Sequence, residues 1–456
     1  MREGESHVES RRLSRDILGV FGTRVAWTLM SVVTGVILAR RLGPHDRGVF
    51  ALILLAPSTV VTFVKLGIAQ SNVYFINRKL EPIEKVAANC VALAVVLGFV
   101  AGALVWVLKG TLLTTVLRGV EPWALALALV RVPLLLLDDY LYGVLQAAGS
   151  FGIYNKRLVI SEAVRMVLVI AALLVFDFGL AGAVWIYTLV NAGNIVWLMM
   201  AMHRRIPFTL GVHWRLLGQQ LSFGVKSYVQ TLTAHALLRS DVYMVSYFLG
   251  PADTAFYSLA LRFSEMILEI PQAVGLVLYP RLATLPEDEV HRLTAQACRR
   301  TLLLTGVGVV AISLFGPSLV TLWYGKAYAA AGAPLPWAAV GVLAMSIFVI
   351  LTRDFTSRNR QQVNIAAGIV ALVSNVLLNL YMIPTMGIVG AAMSTAISYS
   401  GACLLLVVFY LFDSQLSLFD VLLAKPEDLR FFWRLIRQVA ARGWRLTGLG
   451  SVTTGH

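Results

Sequence analysis

The chain has 456 residues, of which 58% are hydrophobic and only 14% charged, and it carries a net charge of +14 with a pI near 9.9. Soluble domains carry about 25% charged residues, so this composition excludes a water-soluble globule and selects a lipid bilayer as the solvent. Nor does the positive balance indicate nucleic acid: Lys and Arg cluster in short segments between apolar runs and form no nucleic-acid module, a pattern of topology signals and anionic headgroup contacts.

The N-terminal tail, 1–16, is polar and holds Arg2, Arg11, Arg12 and Arg15. The first apolar run, 17–38, is long for a signal-peptide core and is followed by Arg40 and Arg41 rather than a small-residue cleavage site, so it reads as an uncleaved first span. Further runs near the length needed to cross a bilayer stand at 49–69, 86–108, 122–147, 157–177 and 179–202. A basic linker, 203–222, containing Pro207 and Gly211, precedes a second series at 223–249, 255–279, 301–323, 333–352, 363–383 and 387–411. These runs are continuous rather than alternating, which excludes a β-barrel. The expectation is an all-α polytopic membrane protein with about twelve transmembrane helices, a six-span half at 17–202, a second at 223–412 and a tail at 413–456. In that tail Arg430, Arg434 and Arg437 alternate with Phe432, Leu435, Ile436 and Val439. This is a basic amphipathic helix expected to lie on membrane phospholipid headgroups; a partner-binding helix is the other reading.

Between the expected spans, 25 Lys and Arg residues fall on the side of both termini and six on the other, the latter being Arg40, Arg41, Arg47, Lys109, Arg118 and Lys326. Positive residues stay on the cytoplasmic side, so both termini are expected there. The halves also resemble each other. Leu249-Gly250-Pro251 stands 207 residues after Leu42-Gly43-Pro44, and Gly387-Ile388-Val389-Gly390-Ala391 stands 208 after Gly179-Leu180-Ala181-Gly182-Ala183. Two matches at nearly one offset argue for duplication of a six-span unit, whereas convergent turn chemistry is the plainer alternative.

Charges inside spans cost several kcal/mol each when they face lipid, so those present should face water or one another. Glu162 with Arg165, and Arg262 with Glu265, are three apart and can share a helix face; mutual neutralisation accounts for them equally well. Lys226 can snorkel from a span end. Arg24 and Lys65 have no acidic partner close by in their own spans, and Arg131 stands seven residues before Asp138 on one face. Arg24, Lys65, Arg131, Arg239 and Arg262 therefore form the candidate cationic set, for which a diphosphate is the natural ligand. Asp241, Glu265 and Glu269 could bind a coupling ion, or pair with Arg239 and Arg262. Neither a Walker, GxSxG nor HExxH motif is present, and Cys90, Cys298 and Cys403 lie far apart. Catalytic residues, cofactors and metals are accordingly not expected.

Arg40-Arg41-Leu42-Gly43-Pro44 with Asp46, Gly48 and Phe50 resembles the segment after the first span of polysaccharide transporters. These are the O-antigen-type flippases of the multidrug, oligosaccharidyl-lipid and polysaccharide exporter superfamily. The second half resembles it again in Asp241, Leu249-Gly250-Pro251, Tyr257-Ser258-Leu259-Ala260, Arg262, Pro271 and Tyr279-Pro280-Arg281-Leu282. The likeness covers roughly residues 15–412; Ala255 departs from it by standing where a Gly is usual. It implies two pseudo-symmetric six-helix lobes around a central cavity in the inner membrane. It further implies alternating-access flipping of undecaprenyl-diphosphate-linked oligosaccharide to the outer leaflet, with polysaccharide polymerase or assembly proteins as partners. The rivals are a multidrug exporter, whose cationic drugs want an acidic cavity, a membrane glycosyltransferase or polymerase, for which no expected external loop is long enough, and a scaffold docked through the basic tail.

Overall fold

A computed structural model of the chain describes residues 2–203, 211–434 and 437, with the side chains of 2–22, 24, 25, 151, 155, 226, 227, 229 and 230 outside that description. The side chains of Arg24 and Lys226, most of the linker and the tail positions Leu435, Ile436, Val439, Arg442 and Arg445 therefore lie outside the described residues. All regular structure among the described residues is helical. The order is α1 (Arg2–Val64), α2 (Ile68–Asn77), α3 (Ile83–Val107), α4 (Lys109–Thr114), α5 (Pro122–Ala147), α6 (Phe151–Ile170) and α7 (Gly179–His203). It continues with α8 (Trp214–Leu249), α9 (Pro251–Leu282), α10 (Glu287–Tyr324), α11 (Leu335–Ser357), α12 (Gln361–Ser414) and α13 (Leu418–Leu422).

Each apolar run of the sequence falls on a helix, but two pairs of runs share one. The first two lie on α1, broken only at Gly43 (φ 72°, ψ 174°), and the last two on α12, broken at Gly387 (φ 62°, ψ −144°). The repeated Leu-Gly-Pro explains the first break. Gly250 takes nearly the same backbone (φ 92°, ψ −172°), and Pro44 and Pro251 each open the helix that follows. A side chain at either glycine would be strained, and proline suits a helix's first position because its missing N–H has no intrahelical partner there. The two copies thus match in conformation as well as in letters. Among the described residues, seven helices are long and apolar enough to cross a membrane. α5, α8 and α9 are not among the seven; they carry interior charges such as Asp138, Asp139, Arg239, Asp241, Glu265 and Glu269. Large apolar side chains stand exposed along α3, α10 and α12, including Phe99, Val100, Leu104, Val307, Leu314 and Leu404, each 62–70% exposed. Apolar exposure on that scale needs lipid around it.

Two compact units divide the chain. The first comprises Met1–Ala260, Pro317–Pro334 and Val376–Ala391. Its core gathers Phe50, Leu52, Leu125, Leu136 and Tyr140, with α3 against α5, α1 against α6 and α2 against α5 and α8. The turns of both sequence halves meet inside it. Arg40 donates from Nε and Nη2 to the carbonyls of Trp323 and Leu322, both at 2.7 Å. The Tyr328 hydroxyl donates to the Ala39 carbonyl at 2.9 Å, and Arg118 Nη1 to that of Tyr247 at 2.9 Å.

The second unit comprises Leu261–Gly316, Leu335–Asn375 and Ala392–His456. Its largest core holds Cys298, Ile350, Leu351, Phe355, Leu406 and Tyr410. At the end of this unit where α10 begins, Arg358 pairs with Asp354, Asp413 and Glu287, while Arg360 also holds Asp413. Glu287, His291 and Asp413 bring ligand-type atoms within 4.8 Å of one another, but the two guanidinium groups already neutralise both carboxylates, which makes this a salt-bridge clamp. The start of the tail docks here too: Asp428 is fully buried and accepts from Arg299 Nε at 2.8 Å, Arg300 Nε at 3.0 Å and the Lys425 N–H at 3.1 Å. Burial pushes the Asp428 carboxyl up, but these hydrogen bonds, that of Arg299 foremost, hold it below the usual carboxylate range.

Candidate functional site

Polar residues inside the first unit concentrate where α1 gives way to α2. Lys65 directly follows the end of α1, and the next two residues, Leu66 (φ 49°) and Gly67 (φ 66°), both take left-handed backbone. Gly67 then lies so close to Gly224 of α8 that a side chain on either would meet backbone. This strained break places Lys65 Nζ 3.4 Å from Asp139 Oδ1 of α5, with the two side chains 19% and 31% exposed. One helical turn back, Thr59 and Thr62 contact the His235 ring of α8 at 3.3 and 3.4 Å, and the Tyr243 hydroxyl donates to Thr59 at 2.9 Å. The result is a polar network among α1, α5 and α8, half-open to solvent at its charged end.

The remaining expected residues are disposed differently. Lys65, read from its own span as lacking a partner, is paired across helices. Arg131 does not reach Asp138: seven residues are about 10.5 Å along a helix, and Asp138 is bound by Arg157 of α6. Arg131 is instead 6% exposed, and its Nε and Nη2 face the Asn191 amide, whose orientation is assigned from its hydrogen-bond partners so that the oxygen accepts from them at 3.1 and 3.2 Å. Glu162 and Arg165 do pair. Arg239 is half-buried within α8, and the side chain of Arg24 lies outside the described residues. Asp241 is 1% exposed and accepts from the Tyr257 hydroxyl at 2.6 Å and the Val242 N–H at 2.8 Å. In the second unit Arg262 and Glu269 are exposed on α9 and Glu265 is half-buried. Arg239, Asp241, Arg262, Glu265 and Glu269 all engage in further polar or electrostatic interactions.

Asp139 and Asn191 are the partners that sequence reasoning did not assign. The adjacent pair Asp138-Asp139 within the apolar α5 was the available signal: two carboxylates there need two cations, and only Arg131 was near in sequence. For Asn191 no sequence signal stood out.

Apolar helices with lipid-type exposure and paired interior charges define a multi-pass α-helical membrane protein. The chain belongs to the polysaccharide biosynthesis protein family, whose model matches residues 15–285, more than half of its length. It is similar to a probable low-salt glycan biosynthesis flippase, Agl15, of Haloferax volcanii, 22% identical over 231 residues, which are 50% of this chain and 49% of that one. The chain thus spans about half the length of this relative. A putative O-antigen transporter of Shigella flexneri is 24% identical over 414 residues, covering 87% of this chain and 97% of its own. Among solved structures, the lipid II flippase MurJ in an inward closed conformation matches with a TM-score of 0.70 at 14% identity, over 88% of this chain and 90% of that one. At that identity the likeness is one of fold.

Proposed function

We propose that this protein flips undecaprenyl-diphosphate-linked oligosaccharide from the cytoplasmic to the outer leaflet of the inner membrane, by alternating access, for polysaccharide biosynthesis. The observation that carries the reading is the nearly end-to-end similarity to a putative O-antigen transporter, on a fold shared with a lipid II flippase. In this reading both termini are cytoplasmic, the halves 17–202 and 223–412 are the repeated six-helix lobes, and the chain makes no covalent change in its substrate. Polymerases or assembly proteins are the partners that would use the flipped product.

The proposed diphosphate contacts in the first unit are Arg24, Lys65 and Arg239; Arg262 of α9 is proposed separately in the second. Lys65 has the supporting geometry: a half-exposed ammonium at a backbone break, held by a carboxylate that can exchange for phosphate oxygens. Asp241, Glu265 and Glu269 are the proposed groups for ion coupling or charge pairing.

The test is the leaflet orientation of prenyl-diphosphate-linked oligosaccharide in inner-membrane vesicles with and without the protein. Outer-leaflet sugar that disappears without it and returns on re-expression supports the reading. Unchanged orientation removes the substrate, and export of small molecules becomes the reading to pursue.

A further inference from the structure

The interior of the first unit contains a cation, Arg131, that no described residue neutralises. Arg131 is 6% exposed, and beyond the two donations to Asn191 its Nη1 has no hydrogen-bond partner. No carboxylate lies within ion-pair distance of it among the described residues: Asp138 serves Arg157, Asp139 serves Lys65 and Glu162 serves Arg165. Arg165 itself lies within Coulombic reach of Arg131, stacks at 4.7 Å on the Tyr187 ring, and leaves its buried Nε without a partner. Around Tyr187 the buried Arg131, the partly exposed Arg165 and Arg47 thus face one described carboxylate, Glu162, which is 2% exposed.

Removing an ion from water without a counter-charge costs several kcal/mol, and a buried unsatisfied polar group calls for a specific cause. Water supplies a hydrogen bond but no charge. We infer that the N-terminal half binds one small inorganic anion of the halide class against Arg131 Nη1, within reach of Arg165, and that Asn191 orients the guanidinium for it. Size follows from burial, since a diphosphate headgroup does not reach a side chain so enclosed, whereas a monatomic anion does. The feature is confined to one half: at the repeat offset of 207 and 208 residues, Arg131 and Asn191 correspond to Ala338 and Tyr399. The inference does not rest on the transport reading.

The experiment uses the purified full-length protein in detergent, without lipid-linked substrate. Radiolabelled chloride binding is measured together with thermal unfolding in sodium chloride, bromide and gluconate at equal ionic strength. The expected result is saturable binding near one chloride per chain, and a higher melting temperature in chloride and bromide than in gluconate. Arg131→Gln should lose both. Should that variant fail to fold, Asn191→Asp decides the matter, because it supplies the missing counter-charge in place. It should fold without chloride, bind none and melt at the same temperature in all three salts. Absence of saturable binding in the wild-type protein, equal melting in chloride and gluconate, or chloride binding retained in Asn191→Asp would each overturn the inference.

Discussion

Replacement of Asp428 by Ala should release the start of the C-terminal tail without unfolding the helices beneath it. The carboxylate is fully buried and serves two guanidinium groups and one backbone N–H. Arg299 is itself 5% exposed, so it loses its counter-charge in a site that water does not readily enter. Breaking a buried pair by removing one partner costs about 3–5 kcal/mol. The Arg300 side chain is 25% exposed and can rehydrate, which argues for the lower end, about 3 kcal/mol. The segment from Leu418 onward follows α12 and packs on the second unit through Val421 and Asp428, so the loss falls on local opening of 418–434. About 3 kcal/mol corresponds to roughly a hundredfold rise in the open population. Amide hydrogen exchange should therefore accelerate about a hundredfold in 418–434 and not in α11, and trypsin should cut at Arg430 and Arg434. The pH dependence has a fixed sign. The folded carboxyl is held below its unfolded value of about 3.9, so its contribution is complete above that value and fades as pH falls through the folded one. Wild-type tail exchange, corrected for intrinsic rates, should be constant from neutral pH to about 5 and approach that of the mutant in stronger acid. Unchanged exchange in the mutant, or equal acceleration through α11 and α12, would refute the docking argument.

Gly250→Val forces a branched side chain to φ 92° and should cost about 1–3 kcal/mol, read as a lower melting temperature in detergent; Gly43→Val should behave alike because the backbone there is the same. Lys65→Met removes a charge-assisted contact of about 1.5–3 kcal/mol, so initial flipping should fall about tenfold or more while melting changes little, since the 31%-exposed Asp139 stays hydrated. A reducible bifunctional cross-linker long enough to replace the Arg40 side chain, placed between cysteines at Arg40 and Trp323, whose contact is a 2.7 Å hydrogen bond from the guanidinium to the carbonyl, should arrest flipping until reduced if the halves part here during the cycle; full activity in the linked protein removes this contact from the moving parts.

Elements that depend on local chemistry were readable in the sequence. Long apolar runs specify helices, and Leu-Gly-Pro specifies a break at Gly43 and Gly250 because few residues other than glycine tolerate the backbone that the following proline-led helix requires. The twofold appearance of one turn, with ψ values of 174° and −172°, follows the twofold appearance of Leu-Gly-Pro in the sequence. Pairings across helices could not. Spacing fixes a shared face only within one helix and so points Arg131 to Asp138, whereas the actual partner of Asp138 is Arg157, reached only when α5 and α6 pack. Lys65 looked free for the same reason. The Asp428 clamp went unread although a signal existed: an acid embedded among Lys425, Arg430 and Arg434, with Arg299-Arg300 distant in sequence. The basic stripe of the tail masks the acid that anchors its start, Asp428.

The pairing of Lys65 bears on a difficulty faced by any carrier of a lipid diphosphate. A cluster of free cations in apolar surroundings would attract the headgroup strongly and release it slowly. Lys65 is already paired with Asp139, so a diphosphate gains only the difference between two anionic partners, and the carboxylate is at hand to reclaim the ammonium as the lipid leaves. At 3.4 Å the Coulomb attraction is about 5 kcal/mol at an effective dielectric of 20. Partial exposure of both groups reduces the net coupling to about 1–2 kcal/mol, close to a factor of ten. Asp139→Asn keeps the size and removes the competitor. It should bind prenyl diphosphate about tenfold more tightly while flipping more slowly, because release then lacks its returning partner. Tighter binding with unchanged or faster flipping would show that release is limited elsewhere, and unchanged affinity would show that Lys65 does not meet the diphosphate.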